Sequence, residues 1–272
     1  MKGIIRELKD LTRLKWSRVV TAIGTFGKYL TSCEVKNDKT YYYKLSEYDP
    51  QLGIVGHECV NEVIAGRIMD QMEIEHLEYT LIHAEVDIDG HIFETWLCRW
   101  EDYKDPYESG MTMEEFSLAY KTDDETPMDF CIRKGWKRYV SEMLTIDYII
   151  LNKDRAGEHI EVLRDRFNKR MRLAPLFDQG VSFVSHIHLV EDLEGYDVME
   201  NTPVISFVGG RTSEDNLRLI PCSERKRLTL PEDIDKDTLF EGLIGILDER
   251  YFDLIWEMIL LRIESARAIL NI

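Results

Sequence analysis

The chain has 272 residues, enough to bury one large core or two of ordinary size. Its 34 Lys and Arg stand against 51 Asp and Glu, and the net charge of -17 repels nucleic-acid phosphates and anionic membranes at long range, so neither is an expected partner. Five scattered cysteines show no zinc-ligand spacing, no apolar run approaches the roughly twenty residues of a membrane span, and the N-terminus lacks a signal-peptide core, so a cytoplasmic location is expected.

In chain order, the first half reads as mixed strand and helix. GTFG, Gly24 to Gly27, interrupts the stretch from Trp16 to Leu30, and KYLTSCEV and TYYYKLS follow as two strand-like runs about an Asn37-Asp38 turn. GHECVNEVIAGRIMDQM then sets Val60, Val63, Ile64, Met69 and Met72 at helical spacing, with Glu58 and Glu62 on one face. YTLIHAEVDI and HIFETWLCRW flank Asp89-Gly90, a strong hairpin signal. The expected order is strand, strand, helix, strand, strand in a small antiparallel sheet.

From Trp100 to Ser109 the chain turns polar, and a boundary is expected there, giving an N-lobe of residues 1–101 and a C-lobe of residues 102–272. MTMEEFSLAY reads as a helix, and MDFCIRKGWKRYVSEMLTIDYII as one helix of about five or six turns. IEVLR and RMRLAPLF form a small hairpin with polar clusters at both ends. Residues 181–227 lack pattern, and the C-terminal stretch reads as two or three amphipathic helices. The fold class is therefore α+β and bilobal, a small antiparallel sheet with one helix beside a larger helical lobe.

Phosphoryl transfer from ATP asks for a glycine-bearing turn over the phosphates, a strand lysine held by a helix glutamate, an aspartate to orient the attacking hydroxyl, and ligands for Mg²⁺. The chain offers these in order: Gly24, Thr25 and Gly27 in the turn, Lys44 at a strand end, Glu62 or Glu58 on the next helix, Asp154, and finally His159 and Asp178. Each has a plainer explanation. Glu58 and Glu62 suit the solvent face of an amphipathic helix, His159 suits a hydrogen-bonded core position, and His186 and His188 suit an exposed strand face. Trp96 and Trp100 suit the core, which leaves backbone groups between Cys98 and Asp102 for the adenine edge.

The run NKDRAGEH resembles the catalytic loop of HipA-like kinases, Asn-x-Asp-Arg/Ala-His-x-x-Asn, and LAPLFDQGVSF resembles their Leu-x-Pro-Leu-Tyr/Phe-Asp metal-binding segment. That family is similar in turn to phosphatidylinositol kinases and, more remotely, to eukaryotic protein kinases. The resemblance covers roughly residues 20–272. It implies a kinase fold, with Asp154 as catalytic aspartate, Asn152 and Arg155 supporting the loop, Asp178 as the main Mg²⁺ ligand and Lys44 as the ATP lysine. It also implies a Ser/Thr hydroxyl of a protein as acceptor, the chain itself included, and an antitoxin-like protein as a possible partner. Two positions depart from the pattern: Ala156 stands for the histidine after Asp-Arg, and His159 for the asparagine. Because Mg²⁺ prefers hard oxygen donors, His159 points toward Mn²⁺, toward Glu158 supplying the oxygen, or toward a pseudokinase that binds or scaffolds. A kinase of a small molecule or lipid headgroup is the further alternative.

Overall fold

The computed structural model describes residues 3–20 and 26–272. Strands β1 (Ile4–Asp10), β2 (Ser17–Val20), β3 (Phe26–Lys36) and β4 (Lys39–Leu45) come first. A two-residue pair follows, β5 (Tyr48–Asp49) with β6 (Gly53–Ile54), and then helix α1 (Glu58–Gln71), β7 (Thr80–Ile88) and β8 (His91–Glu101). The long strands form one sheet in the order β1-β7-β8-β4-β3-β2.

Two tight turns fix its register. Asn37 and Asp38 both take positive φ (53° and 60°), as do Asp89 and Gly90 (53° and 86°), the turn whose twist matches antiparallel neighbours. Both expected hairpins are therefore present. The sheet is nonetheless mixed, because β1 pairs in parallel with β7, Ile4 opposite Leu81. β1 reads IIRELKD and has exposed charges, as suits an edge strand, and this hid it from a search for alternating apolar residues.

Helix α1 lies between the sheet and the second half of the chain. His57 gives it no side-chain cap; instead Ser46, just past β4, accepts from the Cys59 N–H at 3.1 Å. The helix is buried from Glu58 through Gly66, so Glu58 and Glu62 are not on a solvent face.

The second half begins with β9 (Glu108–Thr112), α2 (Met113–Tyr120), α3 (Pro127–Arg133) and α4 (Lys137–Ile149). The single long helix expected over residues 128–150 is thus two. Gly135 takes φ 83°, a left-handed conformation that ends α3, and the chain restarts at Trp136. Next come β10 (Asp154–Arg155), β11 (Glu161–Asp165), β12 (Met171–Leu173) and β13 (Ile205–Ser206). The β11–β12 hairpin carries a third strand, β9, along β11. Residues 181–227, expected to be irregular, hold two short helices, α5 (Ser213–Arg218) and α6 (Cys222–Arg225), and α7 (Lys236–Leu239) and α8 (Glu249–Leu270) close the chain.

Two apolar clusters hold these parts together. The larger joins Ile64 and Ile68 of α1, Ile146 and Ile149 of α4, and Ile255 and Ile259 of α8, so α1 shares its core with the helical half. The smaller covers the opposite face of the sheet, where Tyr43, Leu45 and Leu97 pack with Leu11 and Leu14. Among the described residues no helix is long and apolar enough to cross a membrane.

Candidate active site

Alternation along β4 decides which of its side chains face α1. Tyr43 and Leu45 enter the smaller core, so Tyr42 and Lys44 point to the other side. Thr31 and Cys33 on β3, and Cys98 and Trp100 on β8, stand opposite them. Tyr42 stacks on Trp100 with ring centroids 5.7 Å apart. In the range Cys98 to Asp102, the Asp102 N–H already donates to Thr40 at 2.9 Å.

Lys44 Nζ donates to Asp178 Oδ1 and lies 3.8 Å from Glu62 Oε1 and 4.9 Å from the Tyr29 ring centroid. Burial disfavours charge on this amine, but Asp178 and then Glu62 outweigh it and keep the amine protonated, above the ordinary lysine range. Burial likewise works against ionised Asp178, yet Lys44, and next His159, hold its carboxyl below the usual carboxylate range. With the lysine engaged by Asp178, burial dominates at Glu62 and pushes its carboxyl up. Sequence spacing left Glu58 and Glu62 open as the lysine's partner. Geometry separates them: Glu58 instead accepts from the Glu47 N–H at 3.0 Å and from Tyr29 Oη at 3.5 Å.

Asp178 takes a left-handed φ of 61°, which aspartate tolerates better than most residues. Its neighbours hold that shape: the Asp178 N–H donates to Tyr79 Oη at 3.2 Å, and the Gln179 N–H to Glu62 Oε2 at 2.8 Å. Asn61 Nδ2 donates to the carbonyls of Gly180 and Ser182 at 3.0 and 3.2 Å. A Cβ on Gly180 would stand 2.9 Å from Glu58 Cβ, so only glycine lets the helix approach this closely.

The second cluster is held from α4. Asp147, in its last turn, accepts from Asn152 Nδ2 at 2.9 Å and from the Arg155 guanidinium at 2.8 Å. Asn152 Oδ1 in turn accepts from the Asp154 N–H at 3.1 Å. Arg155 is 1% exposed and also donates to the Phe177 carbonyl at 2.8 Å, so it ties the Asp154 loop to the Asp178 loop and is not free to touch a ligand. His159 bridges the two aspartates: Nδ1 lies 2.9 Å from the Asp154 carbonyl oxygen, and Nε2 lies 3.5 Å from Asp178 Oδ2.

Lys44, Glu62, Asp178, His159, Asp154, Asn152 and Arg155 are thus brought to one place. Gly27 lies in β3, whereas Gly24 and Thr25 lie outside the described residues. Asp147, Asn61, Tyr79 and Gln179 were not foreseen. Only Asp147 left a trace in the sequence, as a lone carboxylate in the apolar run TIDYIIL that had to find a partner. His186 and His188 are exposed, as expected, but lie outside any strand.

No family model and no curated protein matches the chain. Among solved structures, it is similar to the proinflammatory kinase CtkA of Helicobacter pylori at 15% identity, with a TM-score of 0.66 over 96% of this chain and 97% of that one. It also matches HipA of Shewanella oneidensis, from a complex with HipB and operator DNA, at 13% identity and a TM-score of 0.39 over 93% of this chain and 59% of that one. The chain therefore has a bilobal, kinase-like α+β fold.

Proposed function

We propose that this protein is a kinase that transfers the γ-phosphoryl group of ATP to a serine or threonine hydroxyl of a protein. The observation that carries the reading is the contact of Lys44 with Asp178 and Glu62, joined through one imidazole to Asp154. Three distant parts of the chain supply an amine for phosphates, a carboxylate for a metal and a carboxylate for the acceptor, which is the set that phosphoryl transfer needs.

Asp154 takes the proton of the acceptor hydroxyl as its oxygen bonds to the γ-phosphorus, while the bond from that phosphorus to the bridging oxygen of ADP breaks. Asn152 fixes the Asp154 backbone, and Arg155 with Asp147 fixes the loop under it. Lys44 leaves Asp178 for the nucleotide phosphates and remains tethered by Glu62.

Among the described residues no three His, Cys, Asp or Glu side chains converge to hold a metal unaided. That donor set fits a divalent ion that arrives with the nucleotide, because Mg²⁺ is commonly held by one or two carboxylates and phosphate oxygens. Asp178 and His159 would hold it, and it would neutralise charge building on the transferred group. The imidazole makes Mn²⁺ the better match at the second position.

The test is incorporation of label from γ-labelled ATP into host proteins and into the chain, with Mg²⁺ or Mn²⁺. Replacing Asp154→Asn lowers transfer by roughly 100- to 10,000-fold with folding retained, and Asp178→Ala removes the metal dependence along with transfer. Transfer unchanged in Asp154→Asn would take that residue out of the role. Ala156 and His159, which depart from the kinase pattern, favour a second reading, a nucleotide-binding scaffold. It predicts nucleotide binding without turnover or metal dependence. Label passing to small metabolites or lipid headgroups instead of proteins would move the acceptor class.

A further inference from the structure

Several lysines of this acidic chain stand against a carboxylate: Lys104 against Glu161 at 2.8 Å, Lys137 against Glu224 at 2.9 Å, Lys236 against Asp253 at 2.6 Å. Lys153, the residue before Asp154, does not. Among the described residues no carboxylate lies within 4.0 Å of its Nζ, which meets His186 Nδ1 at 2.8 Å. Glu200 attracts it from farther away, and Arg262 repels it. Arg262 is itself 1% exposed and donates to the carbonyls of Val198, Tyr148 and Glu200, again with no carboxylate within ion-pair reach.

The backbone of Lys153 is pinned on both sides. Its N–H donates to the Val181 carbonyl and its carbonyl accepts from the Ile205 N–H, each at 2.9 Å. The cation is therefore held beside the Asp154 loop, where its neighbour His186 is exposed. Burial pushes the Lys153 amine down to about 8, so it still carries its charge at neutral pH. A partly buried ammonium that donates to an imidazole has N–H groups left over, and without a carboxylate its charge is unbalanced.

We propose that Lys153 Nζ and the His186 ring form a subsite for a phosphate-class oxyanion beside Asp154. The group that fills it is either a phosphate already present on the acceptor or a phosphorylated hydroxyl within residues 181–212. The proposal rests on the kinase reading only for the meaning of Asp154; the oxyanion site itself needs no transfer.

The probe is inorganic phosphate at pH 7 against sodium chloride of matched ionic strength, read as the unfolding midpoint of the full chain. With phosphate tenfold above its dissociation constant, the midpoint rises by roughly 3–6 °C. The rise persists in Lys44→Met, which separates it from a nucleotide-phosphate site, and in Lys153→Arg, which keeps the cation. It is lost in Lys153→Met and reduced in His186→Gln. No rise in the parent chain, or the same rise in Lys153→Met, overturns the proposal. The source is read after incubation with ATP and metal: a phosphate mapped within residues 181–212 that abolishes the rise identifies the chain's own segment, and a rise that survives identifies the acceptor. If the kinase reading fails, no label is transferred while the phosphate-dependent rise remains.

Discussion

Gln179 is wholly buried, and neither polar atom of its amide has a hydrogen-bond partner among the described residues. Burying such an amide unpaired costs about 1–3 kcal/mol by mutational measures. Gln179→Leu, similar in size and apolar, is expected to raise stability by about 1 kcal/mol or more in urea unfolding, and an unchanged midpoint would mean the amide is paired. The residues that touch one another at the site were legible to different degrees. Asn152, Asp154, Arg155 and Asp178 lie in two short runs whose wording is recognisable without any structure. Glu62 was legible only as one of two, because Glu58 and Glu62 share a face and the choice depends on where a lysine from another element arrives. Asn61 was invisible: a polar residue in a helical pattern looks solvated until the carbonyls of Gly180 and Ser182 are set against it.

Among elements, α1 shows why a helix can be recognised and its role still missed. Its apolar spacing gave its place in the chain, but a helix buried on nearly every side has no single apolar stripe, so periodicity could not tell its sheet side from its loop side. Its position depends on contact with the loop after Asp178. There Gly180 allows Glu58 Cβ to come close, and an added methyl would meet the Glu58 carbonyl oxygen at 3.0 Å. Gly180→Ala is expected to cost about 1–3 kcal/mol by overpacking and to lower nucleotide binding more than the stability loss explains, since it pushes Glu62 off the Gln179 backbone N–H. Binding that stays intact while stability falls would show that this approach serves packing alone. The hairpins were easier, because Asn37-Asp38 and Asp89-Gly90 encode their turns locally. The split between α3 and α4 turned on a single glycine, Gly135, inside an otherwise continuous helical pattern.

For the whole molecule, His57 lies where α1, the residue 181–212 segment and α8 meet. It is buried against the Tyr251 ring, centroids 4.9 Å apart, with Nε2 unpartnered and His186 and His188 near enough to oppose its protonation. Burial, and then those two imidazoles, push it from 6.5 down to about 4. The unfolded chain therefore binds more protons between these values, and stability falls as pH drops through that window. The loss attributable to His57 is about 3 kcal/mol, and His57→Asn should flatten the slope of stability against pH from 6.5 to 4. An identical slope in the variant would assign the acid sensitivity to other groups.

The start of α1 is fastened to the sheet by Ser46, Lys44 and Glu47, and the rest of the helix to the other half by Asn61, Glu62 and Arg67. Just beyond it, the Leu77 N–H donates to the Leu176 carbonyl at 2.8 Å and the Leu176 N–H to the Glu75 carbonyl at 3.0 Å, across the halves. Two halves bolted through one helix cannot part without breaking one of these sets. On the kinase reading proposed above the consequence is kinetic: the spent nucleotide must wait for that rupture. Rapid mixing with labelled ATP is then expected to give a fast first turnover, close to one phosphoryl group per chain, followed by a slower steady rate set by the departure of ADP. Loosening the bolt with Arg67→Ala would shorten the wait and quicken only the second phase.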